Sequence, residues 1–450
     1  MKGFLDALQS RGYLSVVEEK VSPDLEISSI LSGLQENPIL FKNISGSSLK
    51  LAGNLYSTKH LIETALGISD GRLLHELRES LANPAQTKGH VSSFDRTIWD
   101  YNEEADLTKL PVLKHFDREA GRYVTAGIVA AKFPNSNDEN LSFHRMLILS
   151  KNKVAARIVP RHFHQIAKDS NGKVPLSVTI GPPPEVFVAA SLQTQFGMSE
   201  YRIANKLASR GLELSESEST DVCVPVDSEI VLEGTVDFNE LVDEAPFVDL
   251  TGTYDEIRKQ PVITFHRMHY RRDSVYQAVV ASTSEHAMFM GLPQELKIID
   301  VLSKSIPKIR AINLTPASGG YFHCIASIEK SNDGDGKTAI LSCFAASHPL
   351  KLVVVVDSDV DPFNAGQVEW ALTTRFQAEK GVVVVNGAKG SSLDPSSGKL
   401  AVTSKLGLDA TLPVKEDRTK YSRATITASP LAKSIVSSLT SNLRQRNPEP

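Results

Sequence analysis

The sequence has only three cysteines in 450 residues. Cys223, Cys324 and Cys343 are an odd number without metal-type spacing, which argues against a disulfide framework and a zinc site and leaves three buried thiols. It also has no apolar run approaching the roughly 18 to 20 residues that a membrane span needs. Its greasiest stretches, Leu352 to Val356 and Val382 to Val385, read as short buried strands. A surplus of positive charge is missing too. Forty-nine Lys plus Arg against 53 Asp plus Glu give a formal charge of −4, without the footprint of a dedicated nucleic-acid binder. The N-terminus carries Asp6 and Arg11 within an amphipathic Phe4, Leu5, Leu8 pattern, and it lacks the basic-then-apolar layout of a secretory signal. The expectation is a cytoplasmic protein that binds neither membrane nor nucleic acid.

What the chain does have is apolar material, 41% of its residues, and enough length for two or three cores. Helical patterns at Met1 to Arg11, Leu25 to Gln35, Thr58 to Leu66 and Arg72 to Leu81 alternate with short strands at Ile39 to Lys42 and Lys50 to Gly53, an α/β grammar. A loop-like stretch from Asn83 to Asp106 follows, and the pattern changes at Leu110-Pro111-Val112. From Tyr123 the apolar runs are short and strand-like, through Val262 to His269, with two helical patterns between Gly181 and Gly211; many short strands of this kind suggest a barrel-like β unit. The last third returns to strand-helix alternation, which predicts a sheet with parallel pairs, and ends in an arm past Leu412 with a helix at Leu431 to Leu443. The expected architecture is multidomain α/β. It comprises an N-terminal α/β domain over residues 1–110, a central split β-barrel over 111–300, and a C-terminal α/β domain with a terminal helix and oligomerisation arm over 301–450.

Three central segments concentrate polar groups beside strands: Asn140 to Arg145, Pro160 to Gln165, and Gly197 to Glu200. A neutral amide, an imidazole and a carboxylate suit an oxygen-loving divalent ion better than a soft one. On spacing alone, a turn Asn and a solvated helix-start Glu are the commoner explanation. A fourth segment sets Glu244 and Asp249 five apart across Pro246. Paired acids near an Arg can divide labour, one ionised and one donating a proton, although a turn with solvent-facing acids would look the same.

These segments occur together and in order with further strings: Ile180-Gly181-Pro182-Pro183-Pro184, Ala189-Ala190-Ser191, Ser228 to Gly234, Gly291 to Glu295, Asp357 to Asp361, and Trp370 to Arg375. Over nearly its whole length the chain resembles the UbiD family of reversible decarboxylases, which use prenylated FMN, a divalent metal, usually Mn²⁺, and K⁺. The resemblance implies that Asn140, His162 and Glu200 ligate the metal that ties the cofactor phosphate to the protein. It implies that Ser142, Phe143, Arg161, Ser191, Leu192 and Lys351 contact the flavin or its phosphate, with Arg145, His162 and Glu200 also at the cofactor. Arg145, Glu244 and Asp249 fall on the catalytic triad, Arg145 orienting the substrate carboxylate and Asp249 protonating the carbon that CO₂ leaves. The flavin bonds covalently to an unsaturated or aromatic acid and takes up the electrons. A flavin prenyltransferase would supply the cofactor, and a homo-oligomer, dimer or hexamer, is expected.

The Asp variant at Asp249 and the short chain look like an archaeal branch that converts trans-anhydromevalonate 5-phosphate to isopentenyl phosphate in isoprenoid synthesis by the mevalonate route. A phosphorylated acid calls for cations, and the sequence offers His144, His164 and the cluster His266 to Arg272, which on a strand would send alternate residues to opposite faces. Two other readings stay open: decarboxylation of an aromatic acid such as 4-hydroxy-3-polyprenylbenzoate in quinone synthesis, and a flavin-binding protein without activity.

Overall fold

The computed structural model describes residues 1–424 and 426–446. The N-terminal segment forms a four-stranded sheet in the order Ser15–Val21, Ile39–Ile44, Lys50–Gly53 and Val275–Gln277, the last strand returning from far along the chain to pair parallel with the third. The helices lie where their apolar spacing predicts. Phe4, Leu5 and Leu8 are buried on Lys2–Ser10, and Lys59–Leu66 starts at a Thr58 side chain that accepts the Leu61 N–H and stops at a left-handed Gly67.

Nine antiparallel strands make the central sheet. Eight form a path in the order Tyr123–Val124, Met146–Ile148, Lys153–Ala156, Arg258–Tyr270, Ile230–Glu244, Lys173–Ile180, Ile128–Lys132 and Glu139–Phe143, and Tyr101–Glu104 adds beside Arg258–Tyr270. Among the described residues no hydrogen-bonded pair closes this path into a barrel, so what is found is an open sheet. Its two ends are nonetheless tied by the chain itself: Glu139–Phe143 at one end and Met146–Ile148 near the other are separated only by His144 and Arg145. Two residues span less than about 12 Å, so the sheet curls until its ends approach at Arg145.

Two strands are longer than their hydrophobicity signals. The sequence marks Ile230 to Glu233 and Val262 to His269, whereas the strands run Ile230–Glu244 and Arg258–Tyr270. Their far ends, Leu241 to Glu244 and Arg258 to Pro261, mix exposed with buried residues and show no apolar alternation; they are strands through pairing with each other, from Leu241↔Pro261 to Glu244↔Arg258. The stretch from Asn83 to Asp106 is not all loop either. It holds His90–Ser92 and Tyr101–Glu104, strands too short and too charged to show alternation.

The C-terminal sheet runs Ile309–Leu314, His323–Ile328, Leu352–Asp357, Val402–Ala410, Val382–Lys389, with parallel pairing at its centre as the alternation predicts. One helix, Ser284–Leu302, leads into this domain and contains Pro293, where the sequence marks a helix only from Gln294. The terminal helix, Pro430–Arg446, exposes Leu431, Ile435 and Leu439. No described helix is long and apolar enough to cross a membrane.

Candidate active site

Arg145 sits where the curled sheet brings its ends together, and three carboxylates surround it. Its Nε and Nη2 donate to the two oxygens of Glu244 at 2.9 and 3.0 Å, Nη1 donates to Asp249 Oδ2 at 2.6 Å, and Nη2 also donates to Asp255 Oδ2 at 2.9 Å. The guanidinium is 8% exposed, Glu244 is fully buried, and the Phe247 ring lies 4.6 Å from the guanidinium carbon. Extended pairing of the two long strands puts Glu244 here, and the turn that follows carries Phe247 and Asp249 inward. Within that turn Gly252 has a φ of +73°, and Gly319, from the C-terminal side, packs so close that a Cβ there would overlap Leu250. Leu250, the neighbour of Asp249, is thus held between the turn and the C-terminal side. Burial would push the Asp255 carboxyl up, yet Arg258 and Arg145 together hold it below the usual range.

Asp249 has both oxygens engaged, Oδ2 by Arg145 and Oδ1 by the Leu250 N–H at 2.7 Å. His286 stands nearby, its Nδ1 accepting the Ser282 N–H at 3.2 Å; burial pushes its pKa down, with Asp249 acting against that and Arg145 reinforcing it. Asp255 and His286 carry no signal in the sequence beyond their polarity, although Asp255 lies only six residues past Asp249.

The expected metal ligands come together in part. Glu200 begins the helix Glu200–Leu207 and is buried; its oxygens accept from the Leu141 N–H at 2.7 Å, the Thr194 hydroxyl at 2.7 Å and Asn140 Nδ2 at 3.3 and 3.4 Å. Burial pushes its pKa up to about 7 in spite of those bonds. Asn140 Oδ1 is buried without a partner. Among the described residues no Lys or Arg pairs with the buried Glu200, and the Oδ1 of the adjoining Asn140 amide has no donor; these two groups fit a cation with oxygen ligands. His162 opens the helix His162–Asp169 and lies edge-on to Phe196 at 5.4 Å, and no hydrogen bond joins it to Asn140 or Glu200.

The expected flavin contacts are spread around this region. Ser142 Oγ bonds His144 Nε2 at 2.9 Å, and His144, its pKa pushed down to about 4 by burial, bonds the Arg157 carbonyl through Nδ1. Phe143 packs on Phe187, the Ser191 hydroxyl donates to the Val188 carbonyl, and Leu192 is buried at the end of Pro184–Ser191. Arg161 is exposed. Lys351 is committed to Asp394 at 2.9 Å and to Ser396, so its ammonium already has a carboxylate. Lys405, which the sequence does not single out, is buried with only the His348 carbonyl at 2.8 Å and the Phe344 ring at 5.3 Å. The cluster His266 to Arg272 is taken up elsewhere. His269 bonds Glu233 and Asn102, Arg267 bonds Glu218, and Arg271 donates to two carbonyls beneath Trp99, at the opposite end of the strand from Arg258.

Three family models match in sequence: the N-terminal domain of 3-octaprenyl-4-hydroxybenzoate carboxy-lyase over residues 5–81, its Rift-related domain over 89–284 and its C-terminal domain over 287–410. The anhydromevalonate phosphate decarboxylase of Methanothermobacter thermautotrophicus is 35% identical over 92% of this chain and 97% of its own. That of Archaeoglobus fulgidus is 38% identical over 89% and 91%. Among solved structures, the UbiD-class enzyme HmfF from Pelotomaculum thermopropionicum in complex with FMN superposes with a TM-score of 0.91 at 30% identity, covering 95% of this chain and 97% of its own.

Proposed function

The chain belongs to the UbiD family of carboxy-lyases, and on that premise we propose that it decarboxylates trans-anhydromevalonate 5-phosphate to isopentenyl phosphate and CO₂ with prenylated FMN. The observation that carries this reading is the Arg145 clamp, whose second acid is an aspartate, in a chain similar end to end to anhydromevalonate phosphate decarboxylases. When bound, prenylated FMN supplies a sink for the electron pair that CO₂ leaves behind. The protein's part is orientation, exclusion of water and proton delivery.

Glu244 grips Arg145 with two parallel bonds and is fully buried, so the guanidinium is fixed in position. The Asp249 contact is the exchangeable one, since Asp249 is the most exposed of the three acids at 16%. An incoming substrate carboxylate takes the Nη1 donor and releases Asp249, which, freed from the guanidinium, takes up a proton from solvent and delivers it to the carbon that has lost CO₂. Phe247 and Leu250, both buried, keep water from that carbon. Asn140, His162 and Glu200 would hold Mn²⁺ against the cofactor phosphate, with K⁺ as a further ion of the same site. We read the open central sheet as a split barrel around the flavin, divide the domains near residues 110 and 300, and take the protein to be a cytoplasmic homo-oligomer supplied by a flavin prenyltransferase.

The test is to produce the protein with and without a flavin prenyltransferase and compare phosphorylated and aromatic acids side by side. Turnover of the phosphorylated acid only by flavin-loaded protein supports the reading. Turnover of a polyprenyl hydroxybenzoate alone would replace it, and flavin binding without CO₂ release from any acid would leave a binding protein.

A further inference from the structure

Lys405 donates to the His348 carbonyl at 2.8 Å, and the charges of Lys389, Arg161, Lys405 and Lys297 all act on the His348 imidazole. They come from separate parts of the chain: Arg161 just before His162–Asp169, Lys297 on Ser284–Leu302, and Lys389 and Lys405 on the last two strands of the C-terminal sheet. None of the four has a carboxylate within ion-pairing distance among the described residues. The groups that three of them do meet are neutral: Tyr321 beside Arg161, the Gln193 amide at Lys297, and the His348 carbonyl and Phe344 ring at Lys405. Lys297 is the most telling. It is the one charge on an otherwise buried helical stretch, Gly291 to Ile298, apart from Glu295, which Lys59 neutralises at 2.6 Å. Its ammonium donates to Gln193 Oε1, and burial together with Arg161 pulls its pKa down. Lys297 is half-buried and Lys405 buried, while Arg161 and Lys389 are exposed; like charges that leave water without meeting an anion are unfavourable, and a site built on the two inner lysines is stabilised by an anionic ligand.

The place of the cluster narrows what that anion is. Tyr321 is buried beside Arg161; Gly319, two residues before it, packs against Leu250, the neighbour of Asp249, and Gly320 packs against Gly291 on the helix that carries Lys297, so the same loop adjoins the cations and the acids of the Arg145 clamp. The phosphate of the cofactor already has its own expected cation at Asn140 and Glu200 with Arg161 expected beside it, whereas Lys297, Lys389 and Lys405 are three positive charges beyond that set.

We propose that Lys297, with Arg161 beside it, recognises the phosphate monoester of the substrate while Arg145 holds its carboxylate, which makes Lys297 the residue that selects phosphorylated acids. The inference rests on the proposed decarboxylation and adds the residue that reads the phosphate. A phosphate monoester could also belong to the flavin, and the two sources separate in one experiment on the flavin-loaded enzyme. For Lys297→Met the expected result is unchanged flavin absorbance and metal content, a KM for the phosphorylated acid raised at least tenfold, and kcat within threefold. Lys297→Arg should recover most of the KM, and the same acid without its phosphate should be handled alike by wild type and variant. Loss of flavin with an unchanged KM in the loaded fraction would overturn the proposal in favour of a cofactor contact, as would an unchanged KM with full flavin. Calorimetric titration with inorganic phosphate separates the two readings. If wild type turns over no phosphorylated acid yet binds phosphate and Lys297→Met does not, the substrate assignment fails and the anion site stands; equal binding, or none by either protein, overturns the site.

Discussion

Arg145 and Lys297 are both cations sunk in the protein, and their surroundings are opposite. Arg145 has three carboxylates within 2.6 to 3.0 Å, while Lys297 has an amide oxygen and the field of another cation. A charge that the fold neutralises is held still and works by exchanging one partner for another. A charge left unneutralised has its partner outside the chain. The first kind builds the machinery of a reaction, and the second selects what enters it.

The largest effect should come from the neutralised side. Arg145→Ala removes the partner of two buried acids, and we expect turnover to fall by about a thousandfold or more, with flavin and metal retained. Arg145→Lys serves as the control for folding, and comparable losses in both, measured per bound flavin, support a role toward the substrate. Activity near wild type in either would break the contrast. Next is Asp249→Asn, which should keep cofactor and substrate but lose roughly a hundredfold to a thousandfold in turnover, together with the incorporation of solvent deuterium into product. If deuterium still enters at the normal rate, the proton comes from elsewhere, and His286 is the first group to test.

A smaller effect is expected at Asp255, which steadies Arg145 and ties it to Arg258. Because its folded pKa lies below the usual value, its contribution to stability is fully present above the unfolded pKa of about 3.9 and fades as pH falls through the depressed folded value. The gap in urea midpoint between wild type and Asp255→Asn should therefore be full at pH 7 and close in acid. A gap that stayed constant would show that Asp255 acts by packing alone. The smallest effect should be at Lys351, already paired with Asp394. Lys351→Met should change flavin retention less than Glu200→Ala does, with copurifying flavin and metal as the readout.

Much of this was legible in the sequence where local patterns carry it. The N-terminal helices and the parallel centre of the C-terminal sheet follow from short-range spacing, whereas Glu244 and Asp249 stand out only through the family resemblance, since on spacing alone a turn with solvent-facing acids looks the same. The missing parts are those decided by distant partners. The far ends of the two long strands, Leu241 to Glu244 and Arg258 to Pro261, lack apolar alternation and are held in strand form by each other, so no periodicity marks them. Asp255 looks like any turn acid until Arg145 is placed against it. Lys351 looks like a free cation entering a valine strand, and only the return of the chain to Asp394 shows that it is occupied. The basic run His266 to Arg272 shows the reverse, a conspicuous signal whose charges the surrounding fold absorbs.

The two-residue link between the ends of the central sheet works as a gauge. Asn140 lies on the strand before it and Arg145 within it, so the proposed ion-binding end of the site and its acid-binding end are joined by only a few residues of backbone. One residue inserted here would turn the guanidinium away from its acids, so this link should tolerate no change of length.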